Sequence, residues 1–217
     1  MATALELRER LNAIPRDATK ESWRVRIHRS LSWLRRAEAE VKDLDARFIF
    51  LWIALNAAYA REIGQDETER DRLREFFSRL VSVDHGGQIH SALFETFSGP
   101  VRTLIENRHV YQPFWTSLQR GEGEKGWRPG FEAARRAAMH ALVERNTAKV
   151  LSIVFDRLYV LRNQLIHGGA TWNSSVNRQQ VCDGAAILGN LVPKIVELML
   201  LHPENDHGEI LYPVIDM

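Results

Sequence analysis

Apolar residues recur at every third or fourth position along most of this chain, and no stretch alternates apolar with polar as a half-buried strand would. From Thr19 to Leu44, the residues Trp23, Ile27, Leu31, Leu34 and Val41 fall along one side of a helix. Asp45 is placed to cap a second helix, Ala46 to about Glu62, which ends near Gly64. That helix is apolar almost all round, so it is expected at the centre of the fold. Asp66 to Val83 forms a third, highly charged helix with Leu73, Phe76, Phe77 and Leu80 facing inward. The middle is less regular. His85-Gly86-Gly87 breaks the chain, short helical pieces follow around Ile89 to Phe97 and Val101 to Glu106, and Gly99-Pro100 and Gln112-Pro113 punctuate them. The polar, glycine-rich segment Arg120 to Gly130 reads as a mobile loop. Helices resume over 131–146 and 147–166. After a loop at 168–173, Ser174 or Ser175 is placed to cap a last helix, 175–201, in which Pro193 predicts a kink. The pattern predicts an all-α fold: one domain over residues 1–217, with core helices in 19–62 and 147–201 and a helical insertion over about 66–146.

Composition narrows the function little but excludes several classes. The 217 residues carry 29 basic and 28 acidic side chains, a net charge of +1, so no global field draws the protein to nucleic acid and any RNA contact must be local. A single cysteine, Cys182, forbids an internal disulfide and a cysteine-based metal site and fits a reducing compartment. The N-terminus, MATALELRER, has charges where a signal peptide needs an apolar core. The apolar run Phe48 to Ala60 is shorter than the roughly 20 residues of a membrane span. The expected location is therefore the cytoplasm, without membrane contact. His85, His90, His109, His202 and His207 show no paired spacing with a nearby glutamate of the kind a zinc hydrolase helix uses, so neither a metal nor a cofactor is expected. Arg24, Arg26, Arg29, Arg35 and Arg36 form a basic cluster. It reads as a solvated face, or as a guide for RNA, since Arg29 and Arg36 share a side of the helix.

The most specific chemistry lies in Leu161-Arg162-Asn163-Gln164-Leu165-Ile166-His167-Gly168-Gly169. An arginine holds a phosphate by parallel hydrogen bonds, and an imidazole moves a proton near neutral pH. On a helical wheel Leu151, Val154, Phe155, Leu158, Leu161 and Leu165 make one apolar stripe, and Arg162 falls inside it. A guanidinium there is costly to desolvate unless paired, so it either snorkels or meets a buried carboxylate, or the stripe faces a cleft or second subunit holding an anion. Asn163 and His167 share a face, with Asp156 two turns earlier, whereas His167 lies about 140° around the wheel from Arg162. Three arrangements would reconcile them: glycines 168 and 169 unwind the last turn, Arg162 reaches around, or two chains combine their residues. A histidine at a helix C-terminus is also a common cap.

Arg162-Asn163-x-x-x-His167 resembles the Arg-polar-x-x-x-His signature of the HEPN superfamily, small all-α domains that include many ribonucleases of toxin–antitoxin, phage-defence and RNA-processing systems. The setting is similar too, with an apolar helix into the motif, His-Gly after it and a long final helix. Phe48-x-x-Leu51-Trp52-x-x-Leu55-Asn56-x-x-Tyr59 resembles the central helix that often precedes the motif. The likeness covers mainly residues 19–62 and 147–201. It implies a metal-independent endoribonuclease that joins the ribose 2′-hydroxyl to the adjacent phosphorus, giving a 2′,3′-cyclic phosphate and a 5′-hydroxyl. His167 would be the acid or base, Arg162 would hold the phosphate, and Asn163 would orient one of them. The resemblance further implies a homodimer whose site forms where two motif helices meet, and it leaves room for an antitoxin or regulatory protein as partner. One branch of the family, paired with nucleotidyltransferase antitoxins, carries a tyrosine two residues after the histidine. Gly169 stands there in this chain, which argues against that particular pairing.

Trp172, Asn173 and Asn177 follow the motif closely enough to line a substrate site, Trp172 by stacking a base or simply by packing its loop onto the core. Asn56 and Tyr59 are polar groups in an apolar helix, with core hydrogen bonding as their default role and support of the site as the alternative. Two other functions fit the same residues: a non-catalytic HEPN-like module that binds a nucleotide or a protein, and a structural helical protein in which Arg162 and His167 only pair and cap.

Overall fold

The computed structural model describes residues 1–60, 68–205 and 208–214. The described residues are overwhelmingly helical, with ten α-helices and no strand among them. The expected helix end near Gly64, the start at Asp66 and the side chain of His207 lie outside the described residues. Two compact units divide the chain. The first comprises residues 1–86 and 184–217, the second residues 87–183. The motif helix falls in the second unit and the helices at 21–39 and 44–59 in the first, so the helices expected to share one core are distributed over both.

The first unit opens with a helix that hydrophobic periodicity leaves inconspicuous, α1 (Ala4–Ala13), which buries only Ala4, Leu7 and Leu11. A capping box starts it: the Thr3 hydroxyl accepts from the Glu6 N–H, and the Glu6 carboxylate accepts from the Thr3 N–H at 2.8 Å. Tertiary pins then hold it, Ala4 N–H to Glu38 Oε1 at 2.9 Å and an ion pair between Arg10 and Glu197. Next come α2 (Glu21–Ala39) and α3 (Leu44–Tyr59), packed along each other. Ser30 Oγ donates to the Ala54 carbonyl at 2.8 Å, and the Trp33 and Phe50 rings stack at 5.8 Å. The cap of α3 is Asp43, which accepts from Ala46 N–H at 3.0 Å, two residues earlier than the expected Asp45, which is itself buried. In α4 (Glu69–Val83) the expected inward residues Leu73, Phe76, Phe77 and Leu80 are all buried. Residues 184–201 of α10 (Arg178–Leu201) complete the unit, with Gly189 facing Arg47 and Leu51. The helix runs unbroken through Pro193. Among the described helices it is the one long and apolar enough to cross a membrane, but 67% of that stretch is buried inside the protein, as a core helix would be.

The basic cluster of α2 is not a solvated face. Arg26 is 1% exposed, and its guanidinium donates to the carbonyls of Ala58 (3.2 Å), Ala60 (2.6 Å) and Gly208 (3.0 Å). Arg24 donates to Thr19 Oγ1 at 2.8 Å and to the Ile14 carbonyl, and Arg29 to the Tyr212 carbonyl at 2.6 Å. These arginines satisfy carbonyls at chain ends and turns, where ordinary helix bonding leaves acceptors over. Only Arg35 and Arg36 of the cluster are exposed.

The second unit begins with α5 (Gln88–Ser91), which runs into a single wide turn over Ala92–Thr96 and then α6 (Ser98–Glu106). Gly99-Pro100 lies in the first turn of α6 rather than between elements, a position where proline forfeits no hydrogen bond. A short 3₁₀ turn, Arg108–Val110, leads to α7 (Gln112–Gln119), again with Pro113 in its first turn. The mobile loop expected at 120–130 is mostly helix. Only residues 120–123 form the turn, with Gly121 and Gly123 at positive φ, and α8 (Glu124–Val143) already includes Pro129 and Gly130. Trp127 and Phe131, one turn apart and both buried, anchor this glycine- and proline-containing stretch as helix. Gly126 is required there because an added Cβ would collide with the buried Ser117 Oγ and come within 2.7 Å of Glu122 Cβ. Gly126→Ala should therefore destabilise the unit by about 1–3 kcal/mol, despite alanine's better helix propensity, and denaturant melts would show it. Last come α9 (Thr147–Ile166), whose bounds coincide with the expected ones, and the first residues of α10.

Candidate functional site

The motif occupies the C-terminal end of α9. Asn146 starts that helix by accepting from Lys149 N–H at 3.1 Å, and Val150, Leu151, Val154, Phe155, Leu158 and Leu161 bury its inner face. The deepest cation on α9 is not Arg162. Arg157 is 5% exposed, its guanidinium lies 4.8 Å from the Tyr111 ring and 5.6 Å from the Phe131 ring, and burial pulls its pKa below the usual arginine value. The apolar stripe read from the wheel was too narrow, because helices pack against α9 on more than one side.

Arg162 is half-buried. It donates to Asn163 Oδ1 at 3.0 Å and lies 4.6 Å from the Tyr159 ring centre. His167 is the C-cap residue and is exposed, with its backbone N–H still bonded to the Asn163 carbonyl at 3.0 Å. The last turn is therefore not unwound. Gly168 stops it instead, in the left-handed conformation at φ 69°, and Ala170 N–H closes on the Gln164 carbonyl at 3.2 Å. With the helix intact, the angular gap between Arg162 and His167 persists, leaving a reaching arginine or a second chain to bridge it. Gly169 also has a local reason: an added Cβ would sit 3.3 Å from the Gln164 carbonyl, a tight approach.

The remaining candidates divide. Trp172 is 74% exposed on the loop after the motif. Asn173, at φ 54°, accepts from Arg178 through its Oδ1 at 3.0 Å and so braces the start of α10. Asn177 lines a cleft of about 350 Å³ in the same unit, together with Gln164, Gly169, Thr171, Ser174 and Gln180. Asn56 and Tyr59 belong to the first unit, where both line a separate cavity with Trp33 and Ile53, and Tyr59 packs on Phe76 at 5.9 Å.

His109 and Trp115 complete the cleft wall, and sequence reasoning missed both because they come from the unassigned middle segment. Gln164 Nε2 and Trp115 Nε1 each donate to the His109 carbonyl at 2.7 Å, tying α7 and the 3₁₀ turn to the motif helix. Partial burial, and secondarily the Arg108 cation, lower the His109 pKa below the usual imidazole value. Its folded pKa is thus below its unfolded one, so the unfolded chain binds more protons once the pH falls through about 6.5, and stability drops with it. His109→Asn should lessen that acid-side loss in thermal melts compared between pH 7.5 and 5.5.

Among the described residues no cluster of His, Cys, Asp or Glu side chains is arranged to hold a metal ion. The chain matches no protein-family model, no curated protein and no solved structure.

Proposed function

We propose that this chain is a metal-independent endoribonuclease of the HEPN type, acting as a homodimer with the ends of two α9 helices forming its site. The observation that carries the reading is the setting of Arg162-Asn163-x-x-x-His167: an exposed imidazole ends a rigid, well-capped helix, and one turn back a half-buried guanidinium is held by the motif's own asparagine. In the reaction, one His167 accepts the proton of the ribose 2′-hydroxyl as that oxygen bonds to phosphorus. The bond to the 5′-oxygen breaks, and that oxygen takes a proton from the second His167. Arg162 stabilises the charge gathering on the non-bridging oxygens, which a delocalised, always-protonated group does without proton bookkeeping. The stacked Tyr159 ring and the Asn163 hydrogen bond limit the rotamers of Arg162, so less entropy is lost on binding phosphate.

The test compares three oligonucleotides of one sequence in the presence of a chelator: RNA, 2′-O-methyl RNA and DNA. The proposal expects cleavage of RNA alone. Cleavage of all three would remove the 2′-hydroxyl as nucleophile, and cleavage of none would point to a binding module.

A further inference from the structure

The cleft beside the motif carries chemistry that strand cleavage itself does not use. Asn177 immediately precedes α10, its carbonyl accepting from Val181 N–H at 3.0 Å, and Gln180 lies in the first turn of that helix. Both line the cleft. The Oδ1 and Nδ2 atoms of Asn177 and the Oε1 of Gln180 are buried and make no hydrogen bond among the described residues. Polar atoms are rarely buried without partners because each loses its water for nothing. All three belong to residues of one wall and are sealed from solvent, so a turn of either amide about its side chain is what brings them to a ligand that supplies the missing partners. Asn163, by contrast, already holds Arg162, and Asn173 holds Arg178.

The unmet groups define the ligand's edge. One donor and two acceptors call for two N–H donors and one acceptor in a plane. Adenine, cytosine and guanine each offer such an edge through an exocyclic amino group, and carboxamides pair with adenine in this way. Uracil offers one N–H and two carbonyl oxygens, the reverse pattern. Trp115 and His109 also line the wall, the Trp115 ring held by its Nε1–H bond to the His109 carbonyl and the His109 ring packed edge-on against Phe114. A cleft of about 350 Å³ lies at the small end of ligand-pocket sizes, and Gln164 makes its wall continuous with the motif.

We infer that this cleft receives an amino-bearing nucleobase of the RNA next to the scissile linkage, its edge read by Asn177 and Gln180. The inference rests on the ribonuclease reading for its ligand, but it can fail separately.

Titration calorimetry of the full chain with adenosine, cytidine, guanosine and uridine 5′-monophosphates tests it without cleavage. The expected result is saturable binding of the amino-bearing nucleotides, with uridine monophosphate weaker by about tenfold or more, the equivalent of one lost hydrogen bond. Asn177→Leu and Gln180→Met, near in shape to the residues they replace, should each weaken binding by a similar factor while circular dichroism stays unchanged. Equal affinity for all four nucleotides, binding of none, or unaltered affinity in both folded variants would overturn the inference. A chelated RNA cleavage assay run in parallel separates the two ideas. Cleavage without nucleotide binding removes the base cleft only, whereas nucleotide binding without cleavage keeps the cleft and removes the nuclease.

Discussion

His167→Ala is expected to reduce RNA cleavage by about 10²–10⁴-fold, the usual worth of a positioned acid or base, with α9 intact. The side chain is exposed and serves the helix end only through its backbone N–H, so removal costs little stability. Arg162→Ala should cost about 10²–10³-fold, as loss of a transition-state charge stabiliser does. Arg162→Lys should recover little, because a lysine lacks the planar fork that holds two phosphate oxygens at once. The dimeric site adds a sharper expectation. When wild-type chains are mixed one to one with His167→Ala chains and allowed to exchange subunits, about a quarter of the dimers keep both histidines. Because the reaction uses the His167 of each chain, activity should fall to about a quarter of that of the same total amount of wild type. A site contained within one chain keeps about half. Single-turnover cleavage rates of the separate and mixed proteins read this directly.

The second large effect is on stability and lies in the first unit. Arg26→Ala should destabilise the protein by about 3–5 kcal/mol, because it removes a guanidinium that is itself buried and strips donors from the buried carbonyl of Ala58 and the part-buried carbonyls of Ala60 and Gly208. For a chain of this size that is on the order of a 10 °C fall in Tm. Arg26→Lys should recover only part of it, since one ammonium cannot span acceptors at the end of α3 and at residue 208 together. Arg36→Ala, by contrast, removes an exposed ion pair with Glu40 and should cost no more than about 1 kcal/mol. Thermal melts of the three variants rank them.

These two predictions also mark where sequence reasoning reached and where it stopped. Periodicity located α9 and the buried face of α4 because local apolar spacing alone decides both. It failed at residues 120–130, where Gly123, Gly126, Pro129 and Gly130 all signal a loop. Two buried aromatics, Trp127 and Phe131, outweigh them through packing that no local rule contains. It also picked the wrong costly cations. The wheel singles out Arg162, while Arg26 and Arg157 are among the arginines that the fold buries. Their partners, the carbonyls of Ala58 and Gly208 and the rings of Tyr111 and Phe131, are distant in sequence. The motif itself was legible because it is short and continuous on one helix. The cleft beside it was not, because His109 and Gln164 meet only in the folded unit, 55 positions apart.

The most direct measurement of the central claim is the end chemistry of RNA after exposure to the wild-type protein, Arg162→Ala and His167→Ala, with chelator present throughout. The account predicts 2′,3′-cyclic phosphate and 5′-hydroxyl ends from the wild type and none above background from either folded variant. Wild-type yields of those ends from either folded variant, or 5′-phosphate ends from the wild type, would contradict it.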